Sequence, residues 1–150
     1  MSFTVIIHKQ LTFVIFDSPS DRNAQLYIDE LKKHKVKHIL RVCESTYDIT
    51  PFTQNGIEVI TTPFKDGDVP PHNVIINFLE LVNNNKIIGV HCVAGLGRAP
   101  VLVAIALIES GMDSLDAIAF IRNKRSGSIN TKQLKFLEEY KKQNKKCSIM

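Results

Sequence analysis

A thiol at Cys92 is followed within a few residues by Gly95 and Gly97, and then by the guanidinium of Arg98. A thiolate can attack phosphorus, and a planar guanidinium can pair with two phosphoryl oxygens and stabilise charge in a transition state. Glycines let the intervening backbone curl until several amides point inward. Val93, Ala94, Gly95, Leu96 and Gly97 therefore read as a phosphate cradle closed by Arg98, with Cys92 as its built-in nucleophile.

The flanking residues say how such a loop is held. Residues 86–90 form a short apolar run suited to a strand buried on both faces, and residues 101–109 suit a buried helix. The loop then lies between the carboxyl end of a strand and the amino end of a helix. There the unpartnered N–H groups and the helix dipole favour a bound anion and the thiolate form of Cys92.

The rest of the chain alternates strands and helices. Residues 4–7 and 11–16 are β-branched and aromatic runs around His8-Lys9-Gln10 and suggest a hairpin, after which Asp17-Ser18-Pro19-Ser20 reads as a helix cap. A helical stripe over 21–34, a strand over 36–42, a short irregular or helical piece at Pro51-Phe52 and a strand over 57–60 follow. Residues 61–71 are rich in Pro and Gly and form a surface loop carrying Asp66 and Asp68. Pro70-Pro71 opens a further helix. Asp113 or Ser114 caps another over 115–123, Arg125-Ser126-Gly127-Ser128 is a turn, and the last helix starts near Asn130-Thr131. This order predicts one α/β domain with a mostly parallel central sheet, helices on both faces and a site at the strand carboxyl ends.

At 150 residues and 44% hydrophobic content, the chain is long enough for one core without staples. Its three cysteines, Cys43, Cys92 and Cys147, are widely spaced, which argues against a disulfide framework or a tetrahedral zinc site and for a reducing, cytosolic setting. No run approaches the roughly 18 apolar residues of a spanning helix, and the start lacks a secretory leader pattern, so neither secretion nor bilayer crossing is expected. The net charge is +4, and much of the basic excess lies late, at Lys132, Lys135, Lys141, Lys142, Lys145 and Lys146. Without Trp or an aromatic-and-basic stacking pattern, nucleic acid is not an expected partner. The chain divides into a domain over 1–140 and a basic tail over 141–150.

The run from His91 to Arg98 resembles the His-Cys-x5-Arg signature of cysteine-dependent phosphatases. The exact loop HCVAGLGRAP, the stretch Arg41-Val42-Cys43-Glu44-Ser45-Thr46-Tyr47-Asp48, the loop Pro63-Phe64-Lys65-Asp66-Gly67 and a terminal Cys147-Ser148-Ile149-Met150 box resemble the phosphatases of regenerating liver, the protein tyrosine phosphatase 4A family. That resemblance implies the cysteine-phosphatase fold and a two-step reaction needing no metal or cofactor. Cys92 takes the phosphoryl group, Asp66 at the family's acid position protonates the leaving oxygen, and water then hydrolyses the phosphocysteine. Asp68 competes for the acid role, and either aspartate can instead serve the turn. His91 reads as a residue orienting the loop rather than as a general base. Ala99 stands where most of the wider superfamily has a hydroxyl that assists the second step, so turnover should be slow.

For Cys43, an inert buried thiol is the ordinary outcome, whereas the resemblance implies a reversible disulfide with Cys92. The box at 147–150 implies farnesylation of Cys147, which together with the basic tail addresses the chain to the cytoplasmic face of plasma or endosomal membranes, with a cytosolic pool. The resemblance implies phosphoprotein substrates and extends to trimers at membranes. It also brings a second, binding role, in which the same pocket captures CBS-domain magnesium transporters. Thr62, Lys65 and Ser126 depart from the family's residues near that partner surface.

Overall fold

The computed structural model describes residues 1–147, and side chains through residue 140. The Cys147 side chain and the rest of the terminal box, with the tail lysine side chains, lie outside the described residues. Five strands, β1 (Phe3–His8), β2 (Leu11–Phe16), β3 (His38–Arg41), β4 (Glu58–Thr61) and β5 (Ile87–His91), form one sheet in the order β1-β2-β5-β3-β4. Only β1 and β2 pair antiparallel; the β2–β5, β5–β3 and β3–β4 pairings are parallel, as the strand–helix alternation predicts. The helices are α1 (Ala24–Lys33), α2 (Thr50–Gln54), α3 (His72–Asn84), α4 (Arg98–Glu109), α5 (Ser114–Lys124) and α6 (Thr131–Cys147).

Strand parity divides the interior in two. Successive side chains leave a strand on opposite faces, so Phe13 and Ile15, Leu40, and Ile88 and Val90 enter one core, while Val14 and Phe16 and Ile39 enter the other. The first core is closed by α3, α4, α5 and α6, the second by α1 and α2. Gly89 on β5 belongs to the second face, where a Cβ would stand 3.2 Å from both Phe16 and Val36. Helix α4 lies in the middle of the larger core, with every residue from Arg98 to Ile108 buried. A helix apolar on all sides is what such a position requires.

Two expected boundaries move. The helix expected from residue 21 begins at Ala24, and the polar residues before it do not cap it: Asn23, at the N-cap, makes no side-chain cap bond. They are committed elsewhere. Asp17 Oδ1 accepts from the Tyr27 hydroxyl at 2.7 Å and from Ser2 N at 3.0 Å, Asn23 Oδ1 from Ser20 N, and Asp21 Oδ1 from Asp48 N. The strand expected over 36–42 is shorter, because Val36 N still donates to Leu31 O and closes the end of α1. The cap expected near 113 is present, with the Asp113 carboxylate accepting from Leu115 N.

Phe78 of α3 is fully buried and its ring lies 6.1 Å from that of Phe13. Phe78→Ala should cost about 3–5 kcal/mol in urea unfolding, because the α3–sheet contact cannot close over the lost ring. On the same helix, Ile76→Ala should stay within about 0.5 kcal/mol, since Ile76 is exposed.

Candidate active site

Strand β5 delivers Cys92 to the carboxyl edge of the sheet, and α4 begins six residues later at Arg98. All the carbonyls of the intervening loop are bonded to groups behind it. Val93 O accepts from Ser18 N at 2.9 Å, Leu96 O from Ile129 N at 2.8 Å and Gly97 O from Val101 N at 3.1 Å. Arg125 takes the two between, with Nε on Gly95 O at 2.7 Å and Nη2 on Ala94 O at 3.2 Å, and its third nitrogen bonds Thr4 Oγ1. The amides of 93–97 donate to no group among the described residues, so the loop forms the inward-facing donor nest that its glycines suggested.

Gly95 is where only glycine fits. Its φ is +74°, and a Cβ would stand 2.5 Å from Arg125 Nη2 and 2.9 Å from Phe16 O. At Gly97 the constraint is proximity, since a Cβ would meet the Gln133 amide at 3.3 Å.

Arg98 is buried to 2% exposure, and its Nη1 donates to Phe64 O at 2.9 Å, while its Nε has no hydrogen-bond partner among the described residues. Two exposed carboxylates flank it: Glu44 at 3.5 Å from Nη1 and Asp66 at 3.7 Å from Nε. Phe64 belongs to the loop after β4, which is drawn over the sheet edge because Thr62 N and Phe64 N donate to Arg41 O and Val42 O.

The two aspartates of that loop differ. Lys132 Nζ sits 2.8 Å from Asp68 Oδ1, and Val69 N donates to the same oxygen. The hydrogen bond from Lys132 first, then that from Val69, hold the Asp68 carboxyl below the usual carboxylate range. Asp66 pairs with Arg98 alone among the described residues and is 85% exposed.

The loop is also tied to the last helix, with Asn130 Nδ2 on Gly67 O and Gln133 Nε2 on Asp68 O, both at 3.0 Å. Gln133 is fully buried. Lys65 and Ser126 are exposed, and Thr62 Oγ1 is buried without a partner among the described residues.

His91 leaves β5 on the face opposite Cys92 and is completely buried between the rings of Phe16 and Tyr47. Its Nδ1 lies 3.1 Å from Cys92 O, and its Nε2 lies 2.7 Å from the Tyr47 hydroxyl. The network assigns one tautomer: Nδ1–H donates to the carbonyl and Nε2 accepts from the phenol. Burial pushes the His91 pKa down to about 4, so the ring is neutral near physiological pH. Tyr47 is held in turn by the Arg41 guanidinium, which lies 4.7 Å from its ring centre and donates to its carbonyl. Burial also pushes the Tyr47 hydroxyl upward.

Cys43 lies just past β3 as Cys92 lies just past the parallel neighbour β5; with Arg41 opposite His91, the register sets Cys43 one residue beyond the level of Cys92. It is fully buried, with Sγ 3.9 Å from His91 Nδ1, and both thiols are free. Burial raises the Cys43 thiol, and the positive charge of Arg98 opposes that rise.

The sequence assigns no role to Arg125 or Gln133, and Arg41 and Tyr47 enter it only as members of the stretch 41–48. Arg125 in particular sits in what reads as an ordinary turn, and no local signal marks it, since its partners are 30 and more positions away.

A family model described as Dual specificity phosphatase, catalytic domain, matches residues 20–143. Protein tyrosine phosphatase type IVA A of Dictyostelium discoideum is 50% identical over 145 residues, covering 92% of this chain and 87% of its own. Human protein tyrosine phosphatase type IVA 3 is 49% identical over 142 residues, covering 91% and 82%. Among solved structures, a protein tyrosine phosphatase from Leishmania major superposes with a TM-score of 0.86 at 41% identity, covering 93% of this chain and 99% of that one. The cradle over Cys92 thus sits in a chain that belongs to the dual specificity phosphatase family, in its type IVA protein tyrosine phosphatase branch.

Proposed function

We propose that this protein-tyrosine and dual-specificity phosphatase works through a phosphocysteine at Cys92, with Arg98 binding the phosphoryl group and Asp66 as general acid. The observation that carries the reading is a buried guanidinium with an unpartnered Nε beside a loop whose carbonyls are all tied outward. Such a site stabilises three equatorial oxygens without rearranging at the moment of reaction. The thiolate forms the S–P bond as the P–O bond to the substrate breaks, and Asp66 gives its proton to the leaving oxygen. Water then attacks phosphorus, Asp66 takes its proton, and phosphate leaves as the thiolate returns.

The contrast between the two aspartates supports Asp66. A carboxylate locked by Lys132 is a poor proton donor, and Asp68 faces that lysine. His91, neutral and with both ring nitrogens engaged, orients the loop through the Cys92 carbonyl. Pairing of Cys43 with Cys92 under peroxide belongs to the same proposal, supported by their positions on neighbouring parallel strands. Membrane attachment through Cys147 belongs to it too, on the strength of the terminal box.

In single-turnover assays on a phosphotyrosine peptide, Cys92→Ser should abolish transfer. Asp66→Ala should slow it by roughly a hundredfold or more, while Asp68→Ala changes it by only a few-fold. Equal losses from both aspartates would move the acid role.

Ala99 lies buried in the first turn of α4, immediately after Arg98. Ala99→Ser should therefore raise steady-state turnover while leaving the initial burst unchanged. An unchanged rate of phosphocysteine hydrolysis would remove Ala99 as the cause of slow turnover.

The depressed His91 pKa also has a stability consequence. Between about pH 6.5 and 4 the unfolded chain takes up a proton that the folded chain refuses, so stability present above that window falls as the pH drops through it. The loss should approach roughly 3 kcal/mol in urea midpoints, and His91→Gln should flatten that part of the profile.

A further inference from the structure

The sheet edge opposite the Cys92 loop bears a feature that phosphate chemistry does not use. A groove of about 810 Å³ opens at the amino ends of β3, β4 and β5, with Lys32 and Lys35 from the end of α1, Lys37 from the start of β3 and Lys86 ahead of β5 around an apolar floor that includes Val36 and Ile57. No carboxylate of the described residues lines it. Among the described residues none of these four ammonium groups is ion-paired: Lys32 donates to Asn55 Oδ1 and Lys86 to Gln10 Oε1, both neutral. The carboxylates of the neighbouring elements have other partners, Glu30 with Lys33 and His34, and Glu58 with His38.

Positive charge continues beyond the groove. Lys9, in the β1–β2 turn, reaches Ser110 O just past α4. Helix α6 starts at the Cys92 end, where Asn130 and Gln133 hold the acid loop, and runs to the groove end, where the Tyr140 hydroxyl meets Glu109 at the close of α4. It continues from there to Cys147, about 10 Å further at 1.5 Å per residue, over the backbone positions of Lys141, Lys142, Lys145 and Lys146. Four lysines without a carboxylate partner among the described residues, spread across the groove from three chain segments, suit an extended anionic surface better than one small anion. The imidazole of His38, the ring in its lining, is held by Glu58 at 3.0 Å, and the groove's cations are lysine point charges rather than arginine forks. A bilayer of anionic phospholipid fits both facts.

We propose that the amino-terminal edge of the sheet, with Lys32, Lys35, Lys37 and Lys86 at its centre, docks on the headgroups of an anionic membrane and turns the Cys92 loop away from the bilayer. The strands separate groove and loop by about 15 Å. A docked molecule thus presents its cradle to phosphate groups carried by proteins in solution. This contact does not depend on lipid at Cys147.

Lys35 provides a clean probe. It follows α1 with φ +61°, a left-handed position where glycine is favoured. Lys35→Gly therefore removes a charge while relaxing the backbone, so weakened binding is not a folding defect. The full, unlipidated chain is sedimented with vesicles of phosphatidylcholine alone and of equimolar phosphatidylcholine and phosphatidylserine. Binding is expected only to the second, falling as salt rises. Lys35→Gly should lower the partition coefficient about fivefold, and adding Lys37→Gln and Lys86→Gln should lower it roughly tenfold or more. Lys124→Gln, exposed at the Cys92 end of α5, should leave it unchanged, and all variants should retain wild-type hydrolysis of a soluble phosphotyrosine peptide.

Wild-type partition by the triple variant, or an equal loss from Lys124→Gln, overturns the docking surface. The orientation is read separately and rests on the phosphatase activity: vesicle-bound protein should hydrolyse the soluble peptide and spare a phosphoinositide in the same vesicle. Equal hydrolysis of both overturns the orientation.

Discussion

The five carbonyls from Val93 to Gly97 all point away from Cys92, and the chemistry depends on their staying there. A peptide plane that turns its carbonyl outward turns its N–H inward, so holding the acceptors behind the loop aims the donors at the space over the thiol. Arg125 contributes most to this, spanning two consecutive carbonyls and a β1 hydroxyl from a nearly buried position. Burying a guanidinium costs desolvation energy, and three satisfied N–H groups offset it. Gly95 is the counterpart on the loop side, because any Cβ there would push Arg125 or the Phe16 carbonyl aside. The cradle is thus assembled by contacts between β1, β2, the start of α4 and the segment after α5, and is as rigid as the core that joins them.

Strand parity keeps two functions apart. Cys92 follows β5 into the core closed by α3 to α6, and His91, one residue earlier, enters the opposite face. The thiol therefore lies beside Arg98 and the loop, while the imidazole is fixed by Tyr47, Phe16 and the Cys92 carbonyl. A neutral ring gripped at both nitrogens positions the backbone of its neighbour without adding a titrating charge to the site. Arg41 extends the arrangement by fixing Tyr47 and bonding Thr61 and Ser45, so the ends of β3 and β4 are joined to the same network.

What the sequence reveals follows the range of the interaction. Cys92, the two glycines and Arg98 lie within one strand–loop–helix unit, whose short apolar strand and wholly apolar helix are local patterns, and the α/β architecture follows from counting such units. Arg125 and Tyr47 act on partners 30 or more positions away, so nothing around them in the chain distinguishes a clamp from a turn residue or a core residue; Gln133 pairs locally with Asn130 as a helix-capping box, and only its bond to Asp68 O is long-range. The choice between Asp66 and Asp68 has the same character: both sit in one flexible-looking motif, and the lysine that separates them is on α6. The misread start of α1 arises because Asp17 resembles a cap, whereas tertiary structure gives its carboxylate to Tyr27 and Ser2.

The surroundings of Arg98 explain how a buried positive charge is kept ready for an anion without being occupied by one of the protein's own. Glu44 and Asp66 lie 3.5 and 3.7 Å away, within ion-pair range of the buried guanidinium. Both carboxylates are largely exposed, 70% and 85%, so water screens each pair and each contributes little. Neither reaches hydrogen-bond distance to the buried Nε. A phosphoryl group offers two oxygens in the plane of the fork and displaces neither carboxylate from water, so it can outcompete both. The weakness of the pair leaves Asp66 beside the guanidinium, 3.7 Å from Nε, without hydrogen-bonding it there. One weak ion pair thus keeps a carboxylate beside the buried charge while leaving the guanidinium open to a stronger anion.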